Sequence, residues 1–90
     1  MTATTTQWTI TMSFDEDIDQ TTATAVVTTP SGERLRGIGH ARRNPQDRPV
    51  PRIGEEVAGA RALSNLAHEL LEYAAREIEA NVRRDDPRVR

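Results

Sequence analysis

The chain has 90 residues, a formal net charge of −2, 36% hydrophobic and 3% aromatic side chains, which leaves room for one domain around one core. Setting aside eleven alanines leaves 21 larger apolar side chains and no cysteine, so the core is thin, no disulfide reinforces it, and oligomerisation is the expected remedy. The absence of cysteine, with histidine only at His40 and His68, argues against a structural zinc site and a thiol nucleophile. No apolar run reaches the roughly 18 residues of a membrane span. The opening MTATTTQW lacks the basic and apolar regions of a secretory leader, and a soluble cytoplasmic protein with no membrane partner is expected.

Residues 7 to 14 alternate, with Trp8, Ile10, Met12 and Phe14 on one side and Gln7, Thr9, Thr11 and Ser13 on the other, the pattern of a half-buried strand that carries the sheet's share of the core. After the acidic connection DEDIDQ, Thr21 to Thr29 reads as a second, weaker strand with Ala23, Ala25 and Val27 inward. Pro30-Ser31-Gly32 is a hairpin turn in which proline presets φ and glycine takes the left-handed position. The third strand, Glu33 to Ala41, places Leu35, Gly37, Gly39 and Ala41 on one face and Arg34, Arg36, Ile38 and His40 on the other. Its glycine face is nearly bare backbone and invites a helix or a second subunit over Gly37 and Gly39. Asn44-Pro45 then reads as a capped turn, and Val50-Pro51 as extended chain.

From Gly54 to about Arg84 the period is helical. Glu55 and Glu56 fall at the positive end of the dipole, Arg83 and Arg84 at the negative end, and Asp85-Asp86-Pro87 forms the stop. Arg61, Asn65, His68, Glu69, Glu72, Arg76, Glu79 and Arg83 fall in one polar arc, and the apolar arc opposite spans about 200°, twice the stripe that one packing surface requires. A helix of about 30 residues is roughly 45 Å long, against about 27 Å for strands of eight residues. One side, Val57, Ala60, Ala67, Leu71, Ile78 and Val82, is expected on the chain's own sheet. The other, Leu63, Leu66, Leu70 and Tyr73, is expected at a homodimer interface. A helix broken near Ser64-Asn65 and folded back is the alternative. The expected fold is therefore α+β, a three-stranded antiparallel sheet followed by a long C-terminal helix, with an ordered core over residues 7–84 and flexible ends at 1–6 and 85–90.

Sites for chemistry are sparse. Asp15, Asp17 and Asp19 have the opening spacing of a calcium loop, but Gln20 and Val26 stand where glycine and a bidentate glutamate are required. The Gly37-Ile38-Gly39 run lacks the third glycine of a dinucleotide fingerprint, since Arg42 stands there. Ser13, Ser31 and Ser64 lie outside any nucleophile elbow, and His68 with Glu72 reads as a surface ion pair. No enzyme activity, cofactor or small-molecule substrate is expected.

All twelve basic residues are arginine. Residues 1 to 32 carry four acids and no base, whereas residues 33 to 54 carry six arginines against Glu33 and Asp47, a local balance of +4. Planar guanidinium groups suit phosphate, which makes Arg34, Arg36, His40, Arg42, Arg43, Arg48 and Arg52 a candidate nucleic-acid surface. The competing expectation is that these arginines pair with the acidic loop or the polar helix face.

From Gly37 to Leu66 the residues Gly37-x-Gly39, Ala41-Arg42, Asn44-Pro45, Asp47, Val50-Pro51, Ile53-Gly54 and Ala60-Arg61-Ala62-Leu63-Ser64, with Trp8 upstream, resemble a family of small actinobacterial proteins of unassigned function. That family is described as having a fold like the double-stranded-RNA-binding domain (dsRBD) and is likened to ribosome hibernation promoting factors. The resemblance implies a β-β-β-α chain that dimerises and a role in stress or dormancy through the ribosome or its RNA. The chain departs from hibernation factors in lacking a helix between its first two strands and in its acidic total charge. A homodimeric protein-interaction module without nucleic-acid binding is the alternative function.

Overall fold

The chain forms β1 (Ile10–Glu16), β2 (Gln20–Thr28), β3 (Arg34–Arg42) and α1 (Pro51–Asp85) in that order, in a computed structural model that describes residues 3–44, 46, 48, 50–85 and 88. The strands make one antiparallel sheet in the order β1-β2-β3. Register pairs Met12 with Ala25 and Ala25 with Gly37, and Phe14 with Ala23 and Ala23 with Gly39. The expected α+β chain with one long C-terminal helix is the fold observed.

Local chemistry explains the turns. The Asp17 Oδ1 accepts the N–H groups of Asp19 at 2.9 Å and Gln20 at 2.8 Å, an Asx arrangement that reverses the chain between β1 and β2. Between β2 and β3, Gly32 sits at φ 94°, its N–H donates to the Thr29 carbonyl at 2.8 Å, and Pro30 occupies the first central position as expected. Asn44 does cap, its Oδ1 accepting the Gln46 N–H at 3.0 Å. Pro45, Asp47, Asp86 and Pro87 lie outside the described residues.

The helix begins at Pro51, three residues earlier than its period suggests, because proline is preorganised for the first helical position and has no N–H to leave unpaired. Glu55 and Glu56 are consequently past the first turn, which contains no acid. The helix runs unbroken through Ser64-Asn65. Its 35 residues make it roughly 52 Å long, well beyond the span of the strands, and residues 75–85 are all exposed.

The core consists of Ala23, Ala25, Val27, Leu35 and Ala41 from the sheet and Ala58, Ala62 and Leu66 from the helix. Leu70, Tyr73 and Met12 are partly buried against it. This reverses the two helix faces expected from the sequence. Leu66, Leu70 and Tyr73, expected at a subunit interface, pack on the chain's own sheet, while Val57, Leu71, Ile78 and Val82 are exposed and so are Ala60 and Ala67. Of the four expected interface residues only Leu63 remains largely open, at 41%. The reason is steric. An ideal Cβ on Gly37 would fall 2.8 Å from the Leu66 Cα, and one on Gly39 would fall 2.8 Å from the Arg61 backbone carbon. The small-residue side of the helix, Ala58 and Ala62, can approach the bare strand this closely, and the bulkier side cannot.

The same contact corrects the expected role of β1. A helix about 10 Å across covers two strands spaced about 4.8 Å apart, and α1 lies over β3 and β2, barely reaching β1. Ile10 and Phe14 therefore stay 48% and 40% exposed, Trp8 precedes the strand, which begins at Ile10 rather than Gln7, and the central β2, expected to be the weaker strand, is the most buried.

Candidate nucleic-acid interface

Strand alternation turns the odd residues of β3 to the helix and the even ones to the open face of the sheet. Arg34, Arg36, Ile38, His40 and Arg42 are all exposed there. Register sets them beside Thr28, Val26, Thr24, Thr22 and Gln20 of β2, and β1 continues the surface with Thr11, Ser13 and Asp15. Same-face neighbours are about 6.8 Å apart, so the row from Arg34 to Arg42 extends about 27 Å. The result is a hydroxyl-rich plane with a basic margin. Phe14 lies on the helix-side face of β1 and Tyr73 on α1, whereas Trp8, which precedes β1, lines a hollow with Thr11, Ser13, Val26, Thr28 and Arg34 of the open face.

The His40 ring is held by β2, with Nδ1 at 3.1 Å from Thr22 Oγ1 and 3.3 Å from Gln20 Nε2. Among the described residues no carboxylate bridges Arg34, Arg36 or Arg42. The other expected members of the patch are placed differently. Arg43 has the opposite strand parity, its side chain is 25% exposed, and its Nη2 stands 3.6 Å from Asp19 Oδ1. Its N–H also donates to the Asp19 carbonyl at 2.9 Å, which ties the β1–β2 turn to the end of β3. Arg52 sits on the first turn of α1 and bridges Glu56 at 3.8 Å. Arg48 lines a cavity of about 430 Å³ between the β1–β2 turn, the end of β3 and the start of α1, together with Arg42, Arg61 and Asp19. The expected pairing with the acidic loop thus holds at Arg43, while the β3 row faces outward.

Two helix residues matter that sequence reasoning placed only in a polar arc. The Arg61 Nη1 donates to the His40 carbonyl at 2.7 Å, and the Asn65 Nδ2 donates to the Ile38 carbonyl at 2.6 Å. An i, i+4 step on a helix rises about 6.0 Å, close to the roughly 6.8 Å between alternate strand residues, so this pair can satisfy successive edge carbonyls. The Arg61 and Asn65 side chains therefore cover part of the free edge of β3 and stiffen the strand that carries the arginines.

At the far end of the sheet Glu16 lies beside Glu55. Desolvation, then repulsion from and hydrogen bonding to Glu55, hold the Glu16 carboxyl above its ordinary range. Because Glu16 is itself exposed, solvent screens the desolvation and the proximity of Glu55 is the cause that matters. Among the described residues no group of three His, Cys, Asp or Glu side chains is placed to hold a metal ion. The Asp17 carboxylate is spent on its own turn. Ser31 bonds Thr29 at 2.9 Å and meets the Tyr73 hydroxyl at 3.5 Å. The expected His68–Glu72 bridge is absent from the ion pairs of the described residues.

The chain is similar to mycobacterial proteins in sequence and to one of them in solved structure. The chain is 45% identical over 73 residues to the uncharacterized protein Mb1767 of Mycobacterium bovis, covering 81% of this chain and 77% of that one. It is 41% identical over 66 residues to the uncharacterized protein Rv2632c of Mycobacterium tuberculosis, covering 73% and 71%. A crystal structure of Rv2632c matches with a TM-score of 0.83 at 35% identity, over 94% of this chain and 98% of that one. The Rv2632c-like family model matches residues 6–86, and the chain belongs to that family.

Proposed function

We propose that this protein is a non-enzymatic RNA-associating protein that acts in the cytoplasm and holds structured RNA, that of the ribosome first, against the open face of its sheet. The observation that carries this reading is the row Arg34, Arg36 and Arg42, exposed along one strand with no bridging carboxylate among the described residues. A guanidinium can grip a phosphate through two parallel hydrogen bonds. The threonine and serine hydroxyls beside it suit phosphate oxygens and ribose 2′-hydroxyls. Trp8 near Arg34 is a single aromatic at one end of this face, short of a platform for successive unstacked bases, so recognition is of backbone and shape. A stress or dormancy setting, and kinship with the double-stranded-RNA-binding fold, rest on the resemblance to hibernation factors.

Co-sedimentation with purified ribosomes at two salt concentrations tests the proposal. The wild type is expected in the pellet at low salt and largely released at high salt, because phosphate contacts exchange with counterions. The triple variant Arg34→Ala/Arg36→Ala/Arg42→Ala is expected in the supernatant at both, and Arg52→Ala is expected to behave as wild type. Absence of the wild type from the low-salt pellet, or equal pelleting of the triple variant, removes the reading.

A further inference from the structure

Two apolar surfaces of this chain have no cover within it. One is the helix-side face of β1, where Ile10 and Phe14 are 48% and 40% exposed. The other is the outer stripe of α1, where Leu63 is 41% exposed and Leu71, Ile78 and Val82 are 64–67% exposed. With about 200 Å² for a large residue in the open, these six residues present roughly 650 Å² between them. The sum approaches the roughly 800 Å² that each partner contributes to a stable interface.

The whole molecule also exposes an excess of surface. Its accessible surface is 7445 Å² for 10.0 kDa, where a folded monomer of that mass exposes about 5,200 Å². Its radius of gyration is 18.5 Å, against about 12 Å for a domain of this length. The sheet edges also differ. Arg61 and Asn65 bond carbonyls of β3 from the helix, whereas β1 is an edge strand that among the described residues pairs only with β2.

We infer that a second copy of this chain covers both surfaces, each α1 lying between β2 and β3 of its own subunit and β1 of the partner, so that two helices share one layer between two sheets. A strand face lacking a helix and a helix face lacking a sheet occur in the same chain, and a two-fold rotation presents each to the other. The arrangement accounts for an apolar arc of about 200°, twice that of a helix with one packing surface. It leaves the polar arc of Arg61, Asn65, His68 and Glu72 at the margin of the layer. The inference is independent of RNA binding, since the arginine row lies on the opposite face of the sheet.

Sedimentation equilibrium at micromolar concentration tests it. The wild type is expected at twice 10.0 kDa. Ile10→Glu and Ile78→Glu are each expected to weaken the dimer at least about tenfold, some 1.4 kcal/mol. Ile18→Glu, at an apolar residue 85% exposed in the β1–β2 turn, is expected to leave it unchanged. Since the natural chain has no cysteine, a second readout is available: mixed Ile10→Cys and Leu71→Cys chains are expected to give a disulfide-linked heterodimer, which Ile18→Cys in place of Ile10→Cys does not. A wild type that sediments as a monomer or as a higher oligomer, an Ile18→Glu effect equal to that of Ile78→Glu, or cross-linking indifferent to position would overturn the inference.

Discussion

Gly37→Ala tests the contact on which the fold turns. Alanine is ordinarily the better strand residue by roughly 0.5–1 kcal/mol, so propensity alone predicts a gain. The added Cβ would lie 2.8 Å from the Leu66 Cα and nearer still to the Leu66 nitrogen and the Ala62 oxygen. Carbon atoms rest at about 3.5–4.0 Å, and all three obstructing atoms are helix backbone, which no rotamer change can move aside. The helix must lift by about 1 Å. Overpacking of this kind costs about 1–3 kcal/mol, and partial exposure of Leu66, now 3% exposed, forfeits part of a further 1.5–3 kcal/mol. We expect a loss of about 3 kcal/mol, a large fraction of the roughly 5–13 kcal/mol available to a domain of this length. Urea unfolding followed by far-ultraviolet circular dichroism measures it. The control is Gly32→Ala, where nothing lies within 4 Å of the new Cβ but φ is +94°, and the left-handed backbone costs about 1–2 kcal/mol. If Gly37→Ala is as stable as wild type, or loses no more than Gly32→Ala, the close approach is wrong.

Other outcomes follow from the same geometry. Leu66→Ala is expected to cost about 2–5 kcal/mol whatever the protein concentration, whereas the cost of Leu71→Ala is expected to vary with concentration, because Leu71 is buried only on association; unfolding curves at two concentrations separate them. Asp17→Ala removes the acceptor for the Asp19 and Gln20 N–H groups and is expected to lose about 1 kcal/mol, with Asp17→Asn retaining most of it in thermal melts. The raised Glu16 pKa means the folded state holds that proton more tightly than the unfolded state. Its stabilising share is present at low pH and is lost as pH rises through the folded value. Glu55→Gln is therefore expected to raise the melting temperature at neutral pH and to give no gain well below the ordinary glutamate pKa of 4.5.

The order of elements, the Gly32 turn and the helix over Gly37 and Gly39 were legible because each has a local cause: alternation, a left-handed glycine, a strand face with no side chains. The sharing of the core was not. Hydrophobic weight favours Ile10 and Phe14 in β1, Trp8 just before it, and Leu71, Ile78 and Val82 in α1, yet the core is built on alanines at Ala23, Ala25, Ala58 and Ala62. Which face of α1 meets the sheet was decided by steric access to β3, a long-range condition that a periodicity plot weighted by side-chain size ranks wrongly. The arginine segment divided in the same manner. Strand parity put Arg34, Arg36 and His40 on one face, but the expected strand stopped at Ala41, one residue short of Arg42, and the pairing of Arg43 with Asp19 depended on how the β1–β2 turn meets the end of β3. Arg61 and Asn65 left a usable signal in their i, i+4 spacing on the polar arc, which becomes informative only once β3 is known to lie beneath them.

The most direct measurement is the salt dependence of binding to a structured ribosomal RNA fragment, read as fluorescence anisotropy and plotted as log Kd against log salt concentration. Each phosphate contact contributes about one unit to the slope. The triple variant Arg34→Ala/Arg36→Ala/Arg42→Ala is expected to bind more weakly with a slope about three units shallower than wild type. A wild type that fails to bind at low salt, or a variant whose slope equals that of wild type, would contradict the assignment of RNA to the open face of the sheet.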